Sequence, residues 1–203
     1  MKNRTKIQLL PLELNLITNT GFILTKNAVI QKIKLFFEEL QTCQQKIIEN
    51  YPISKLNEVT KTSPKISKGE NYKGLPWLVL DFPRHFEIKN TFTIRTMFWW
   101  GKFFSITLHL SGRYKNHWQK QIIENYTELA ASGFYICVGE TEWEHHFEPD
   151  NYIMINEFSK EDFQKNIITN SFLKIGKKIP IEQLNKLEIN LSDYFKMLIN
   201  LCS

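Results

Sequence analysis

The sequence predicts an α+β fold in which a mostly antiparallel sheet is covered on one face by amphipathic helices, with further helices at the C-terminus. Three observations predict it: a helix-length amphipathic stretch over residues 25–51, three strand-like runs within 76–110, and more amphipathic stretches with two short strands after them. This order lacks the regular strand and helix alternation of a doubly wound sheet. The chain has 203 residues, of which 42% are hydrophobic, so we expect residues 1–203 to form a single domain with its own core.

The first quarter of the chain predicts an arm, a long helix and a loop. Residues 7–17 are apolar but interrupted by polar groups and Pro11, which favours an extended, partly buried arm over a secretion signal or a membrane span. Residues 25–51 carry apolar groups at helical spacing, and Pro52 ends this helix because the residue before a proline is pushed out of the helical region. Residues 52–74 are rich in Lys, Ser, Thr and Asn, and predict a mobile surface loop.

The strand-like runs at 76–82, 92–99 and 103–110 predict neighbouring strands, the last two joined by a turn at Gly101. Pairing residues whose numbers sum to 202 puts the apolar residues of both strands on one face. That face carries Phe92, Ile94, Phe98, Phe104, Ile106, Leu108 and Leu110. A slip by one residue would turn every side chain over, so burial selects this register.

The opposite face of these strands is polar and holds the first candidate site. Arg95, Thr107 and His109 share it, and Asp81 joins them if the preceding strand buries its leucines. A carboxylate, a guanidinium and an imidazole on one face could bind an anionic ligand or orient a general base. The alternative is a cross-strand ion pair that helps to cover a half-buried sheet face.

The second half of the chain predicts helices around two short strands. The predicted elements are a helix at 113–131 capped by Gly133, strands at 134–138 and 152–155, a helix begun by the capping pair Ser159 and Asp162, and two terminal helices entered at Pro180 and Ser192.

Residues 139–150 form the second candidate site, because two adjacent histidines lie there among five carboxylates. Glu142, Glu144 and His146 could share one face of an extended strand and bind zinc or manganese, with Glu148 as a base. No HExxH or HxH pattern is present, however, and adjacent histidines diverge in an extended backbone.

Two other interpretations of residues 139–150 remain open. One is a solvated acidic connection that binds no structural metal and packs Trp143 and Phe147 inward, and the other is a docking surface for a basic partner. The aromatic group at 98–104 similarly predicts core packing, with a ligand platform or protein docking patch as the alternative.

Charge and motif content exclude several classes of function. The net charge is +5, but only four basic residues are Arg and residues 133–162 are acidic, so we expect no nucleic-acid partner. Neither GxxxxGK nor GxGxxG occurs, and we expect no cofactor. The three cysteines are far apart, which favours a reducing, cytoplasmic location, and we expect no membrane association.

The sequence therefore predicts a soluble, non-enzymatic binding domain for a small ligand or a protein partner. The alternative is a metal-dependent hydrolase that uses residues 139–150. Spacing alone does not identify the ligand.

Overall fold

The computed structural model describes residues 6–50 and 57–202. The helices are α1 (Pro11–Thr18), α2 (Thr20–Glu49), α3 (Asn57–Thr60), α4 (Gly112–Glu124), α5 (Tyr126–Ala131), α6 (Lys160–Thr169) and α7 (Leu187–Asn200), with short 3-10 helices at Ile155–Glu157 and Ile181–Lys186. The strands are β1 (Lys65–Tyr72), β2 (Leu75–Phe86), β3 (Thr91–Trp99), β4 (Phe103–Ser111), β5 (Tyr135–Cys137), β6 (Tyr152–Met154) and β7 (Phe172–Pro180). They form one antiparallel sheet in the order β1-β2-β3-β4-β7-β5-β6, and the α+β prediction is confirmed.

The predicted register of β3 and β4 is confirmed. Phe92 pairs with Leu110 and Phe98 with Phe104, so each pair sums to 202. The apolar face of the sheet packs against α2 and α4–α7 to form the main core. Helix residues in this core include Phe37, Leu40, Trp118, Ile122, Phe163, Ile167, Leu191 and Phe195.

The long helix α2 ends at Glu49, close to the predicted end before Pro52. The prediction of an extended, partly buried arm at residues 7–17 is wrong, because α1 is helical and none of its residues is buried. Pro11 fits the first helical position, where a missing N–H costs nothing, and the Leu10 N–H donates to the Glu13 carboxylate at 2.7 Å.

The loop predicted over residues 52–74 is wrong where the structure describes α3 and β1; residues 51–56 lie outside the described residues. β1 is an edge strand, where polar side chains on both faces are tolerated, so its sequence lacks an apolar face. Gly69 in β1 lets the Trp77 ring lie against it, because a Cβ there would be 2.6 Å from that ring.

Strand β7 is absent from the predicted elements, although it lies in the sheet between β4 and β5. Leu173, Ile175 and Ile179 point into the main core, but the lysines between them hide the alternation. The terminal helix predicted from Pro180 is only a 3-10 helix, and α7 begins at Leu187 rather than at Ser192.

We expect Leu108→Ala to lower the free energy of unfolding by about 2–5 kcal/mol, because Leu108 is fully buried and the substitution leaves a cavity. Urea denaturation monitored by circular dichroism measures this. Leu35→Ala, an exposed position on α2, should change it by no more than about 0.5 kcal/mol. Equal effects of the two substitutions would contradict the described core.

Candidate functional site

The polar face of the sheet is not open. Residues 139–151, between β5 and β6, fold across it, where Glu142 contacts His109 and the Glu144 carbonyl accepts from Lys174. On this face Ser105, Thr107, His109 and Lys174 are buried. His146 within this segment is itself only 1% exposed. We call residues 139–151 the covering segment. The prediction of a solvated acidic connection is wrong for the middle of this segment, where His146 is buried.

Phe147 anchors the covering segment to the sheet. Its ring stacks on Tyr152 at 4.4 Å between centroids and meets Phe103 edge-on at 5.4 Å. Gly176 in β7 leaves room for it, since a Cβ there would lie 3.0 Å from the Phe147 ring. The predicted inward packing of Phe147 is confirmed, whereas that of Trp143 is wrong because Trp143 is 52% exposed.

Asp81 and Arg95 form a bidentate ion pair across β2 and β3. Arg95 Nε donates to Asp81 Oδ1 at 2.7 Å, and Nη2 donates to Oδ2 at 2.9 Å. Thr93 Oγ1 donates to the same carboxylate at 3.4 Å. Both charges are largely buried, and such paired geometry is what makes a buried charge tolerable.

His145 extends this pair into the covering segment. Arg95 Nη1 donates to His145 Nε2 at 3.0 Å, so the imidazole accepts and carries its proton on Nδ1. Burial, reinforced by the positive charges of Lys174 and Arg95, holds the pKa of His145 well below its ordinary value. His145 is thus neutral at physiological pH.

Thr107 and His109 lie on the predicted face, but the covering segment and β6 enclose them. His109 Nε2 donates to Glu142 Oε2 at 2.8 Å, and Thr107 hydrogen-bonds with Tyr152. Burial lowers the pKa of His109 despite Glu142, whose own pKa is lowered by this hydrogen bond. Of the four predicted ligand-binding residues, Asp81 and Arg95 line the cavity between β1–β3 and the covering segment, and Thr107 and His109 do not line that cavity.

The residues predicted to bind a metal do not converge. Glu142 pairs with His109, while Glu144 Oε2 lies 2.9 Å from His146 Nδ1. His146 also lies 3.3 Å from the Asp150 carboxylate. Within 6–50 and 57–202, no group of three or more His, Cys, Asp or Glu side chains could hold a metal ion.

Lys174 is a buried cation that the sequence analysis missed. It is 1% exposed, its ammonium donates to the Glu144 carbonyl, and it lies 5.3 Å above the Tyr152 ring. Burial lowers its pKa to about 8. It ties the covering segment to the centre of the sheet.

A cavity of about 440 Å³ lies between β1–β3 and the covering segment. It is lined by Lys65, Ser67, Asn71, Tyr72, Trp77, Val79, Asp81, Arg84, Phe86, Arg95, Met97, Trp143 and His145. A shift of the β2–β3 pairing by one residue between Asp81 and Arg84 changes which residues face the cavity. Arg84 and Phe86 therefore lie on the same face as Asp81, although strict alternation from Asp81 would put them on the opposite face. The pattern of the sequence does not predict this shift.

Lys65, Tyr72, Arg84 and His145 are among the cavity residues that the sequence analysis did not select. Lys65 and Tyr72 belong to the strand mistaken for a loop, and His145 was considered only beside His146. Alternation of Lys65, Ile66 and Ser67 is the single signal that could have suggested β1.

We expect the free energy of unfolding to decrease as the pH falls below about 6.5, the ordinary pKa of histidine. The folded-state pKa values of His145 and His109 are both depressed, so below that pH the unfolded chain binds protons that the folded chain does not. Each such proton contributes a slope of at most about 1.4 kcal/mol per pH unit. Urea denaturation between pH 5 and 8 measures the slope.

His145→Gln is the matched variant for this pH dependence, since a glutamine carbonyl can still accept from Arg95. It should reduce the slope between pH 5 and 6.5, and His117→Gln on α4 should leave it unchanged. A profile that is flat in this range in the unsubstituted protein would contradict the buried, neutral imidazoles.

No family model, curated protein or solved structure matches this chain. Within the part of the chain that the structure describes, no helix combines the length and the apolar character needed to cross a membrane. Fold and site geometry are thus the grounds for a functional proposal.

Proposed function

We propose that this protein binds a small anionic ligand that carries a planar ring, in the cavity between β1–β3 and the covering segment. The observation that carries the proposal is the lining of that cavity, in which aromatic walls surround two cations, Lys65 and Arg84, that form no ion pair with an acidic side chain in the described part of the chain. Small-molecule sites characteristically combine such apolar walls with a few placed polar groups.

The charge balance of the cavity favours an anion. Asp81 neutralises Arg95, and the neutral His145 adds no charge. Lys65 and Arg84 remain, and neither forms an ion pair with another described residue; Arg84 uses only Nε, which donates to the Ser63 carbonyl at 2.8 Å. The free end of a guanidinium and an ammonium suit a carboxylate or a phosphate group.

The walls of the cavity favour a planar ring beside the anionic group. Tyr72, Trp77, Phe86 and Trp143 line it, and Val79 and Met97 form its apolar floor on the strands. Aromatic side chains gain from stacked or edge-on contact with another ring. A volume of about 440 Å³ suits a small molecule rather than a polymer.

Titration with benzoate, the simplest probe of this description, tests the proposal, and benzamide is its neutral analogue. Isothermal calorimetry or ligand-observed NMR should show benzoate binding at least about tenfold tighter than benzamide. The double variant Lys65→Gln/Arg84→Gln should weaken benzoate binding by about tenfold or more, because it removes the two cavity cations that face the anionic group.

The matched control is Lys160→Gln/Lys165→Gln, which removes two exposed cations from α6 on the opposite side of the sheet. It should leave benzoate binding unchanged. Equal binding of benzoate and benzamide, or equal loss in both double variants, would overturn the proposed function.

A further inference from the structure

Residues 7–24 include α1 and the first five residues of α2, and they expose an unusual amount of apolar surface. We call this segment the N-terminal arm. It contains ten of the seventeen large apolar side chains that the described residues expose. These are Ile7, Leu9, Leu10, Leu12, Leu14, Leu16, Ile17, Phe22, Ile23 and Leu24, each at least 47% exposed. Monomeric proteins rarely expose a contiguous apolar patch of more than a few hundred Å².

The apolar groups of α1 surround the helix rather than forming one stripe. Leu12, Leu14, Leu16 and Ile17 follow one another at spacings of two, two and one residue, which no single helical face accommodates. A helix that is apolar on all sides is normally enclosed by other protein. We therefore expect the apolar side chains of the arm to be enclosed in an apolar groove.

The same chain has such a groove on the helix-covered side of the sheet. This apolar groove has a volume of about 720 Å³ and lies between α2, the β3–β4 turn and the segment from the last 3-10 helix into α7. Ile33, Phe36 and Trp100 line it, as do Leu184 and Ile189, which are 57% and 65% exposed. Such a concave apolar surface accepts a helix.

The arm does not fill the groove of its own chain, since every large apolar side chain in the arm is exposed. The groove wall on α2 begins at Val29, nine residues after the start of this continuous helix. At 1.5 Å per residue, α2 begins roughly 13 Å before that wall.

We propose that the arm of one copy of this chain occupies the apolar groove of a second copy, and that the exchange is reciprocal. Each copy has one arm and one groove. A two-fold axis therefore places each arm in the groove of the other copy, and the assembly closes as a dimer. Apolar complementarity supports this occupant: the arm exposes ten large apolar side chains, and the groove is lined mainly by apolar residues, with one basic and one acidic residue, Lys32 and Glu188, that balance in charge. This inference does not depend on the proposed function.

Sedimentation velocity of the full chain tests the proposal, and we expect a concentration-dependent dimer. We expect two variants to weaken dimerisation at least about tenfold: the arm variant Leu12→Glu/Leu16→Glu and the groove variant Leu184→Glu/Ile189→Glu. In a dimer of either variant, both arm–groove contacts are disrupted. Ile88→Glu/Ile168→Glu, at exposed apolar positions outside both surfaces, should dimerise normally. Unchanged melting of diluted samples shows that the variants fold.

Mixing the arm variant with the groove variant separates this arrangement from others. The mixture retains one intact arm and one intact groove on different chains, so a heterodimer should form although each variant alone is mainly monomeric. A groove variant that still dimerises, or an unsubstituted chain that stays monomeric at about 100 μM, would overturn the proposal. Binding of that monomeric chain to phosphatidylcholine vesicles would assign the arm to a lipid surface instead.

Discussion

Asp81→Ala is expected to lower the free energy of unfolding by about 3–5 kcal/mol, because it leaves the Arg95 guanidinium without its partner in a largely buried position. The loss should exceed that of an ordinary ion pair, since Asp81 accepts two hydrogen bonds from Arg95 and one from Thr93. Urea denaturation at pH 7 measures the change.

Two further variants distinguish an unpaired buried charge from loss of packing. Asp81→Leu/Arg95→Leu removes both charges and should recover part of the stability lost in Asp81→Ala. Glu38→Ala breaks the exposed pair with Lys34 on α2 and should cost no more than about 0.5 kcal/mol. A loss below about 1 kcal/mol in Asp81→Ala would show that Arg95 reaches solvent.

Phe147→Ala is expected to cost about 3–5 kcal/mol, the usual range for emptying a buried aromatic site. Its ring contacts Tyr152, Phe103 and Tyr135, so the covering segment should detach from the sheet in the variant. Hydrogen exchange should then accelerate at the Val138 amide, which donates to the Asn151 carbonyl at 2.9 Å.

Trp143→Ala is the control for this detachment, because Trp143 belongs to the same segment but is half exposed. We expect it to cost about 1 kcal/mol or less and to leave exchange at Val138 slow. Equal costs of the two substitutions would mean that Phe147 does not anchor the segment.

The strand pairs with strong period-2 alternation could be predicted from sequence. Apolar residues stand at every second position of β3 and β4 except Thr96, so burial fixed their register and placed Arg95 on the other face. The buried leucines of β2 placed Asp81 on the same face as Arg95. β7 was not predicted, because Lys174 and Lys177 interrupt the pattern of its apolar residues. A lysine in a central strand is tolerated only through tertiary contacts, such as the Glu144 carbonyl, that no local pattern displays.

The candidate site could be predicted in part for the same reason. Alternation brought Asp81 and Arg95 together, but the closure of the polar face depends on Phe147 fitting against Gly176, across residues far apart in sequence. The cavity also needs β1, whose edge position removes the apolar pattern by which strands are recognised. In the covering segment, Glu142 accepts a hydrogen bond from the buried His109. Counting charges along the sequence predicts instead that such acidic residues lie on the surface.

The indole N–H resonances of the five tryptophans give the most direct test of the proposed ligand site. Titration of ¹⁵N-labelled protein with benzoate should shift the signals of Trp77 and Trp143, which line the cavity, and leave that of Trp118, in the main core, in place. The Trp100 signal should also stay in place, because Trp100 lines the apolar groove on the other side of the sheet. Shifts confined to Trp100, or no shift at saturating benzoate, would contradict an anion site between β1–β3 and the covering segment.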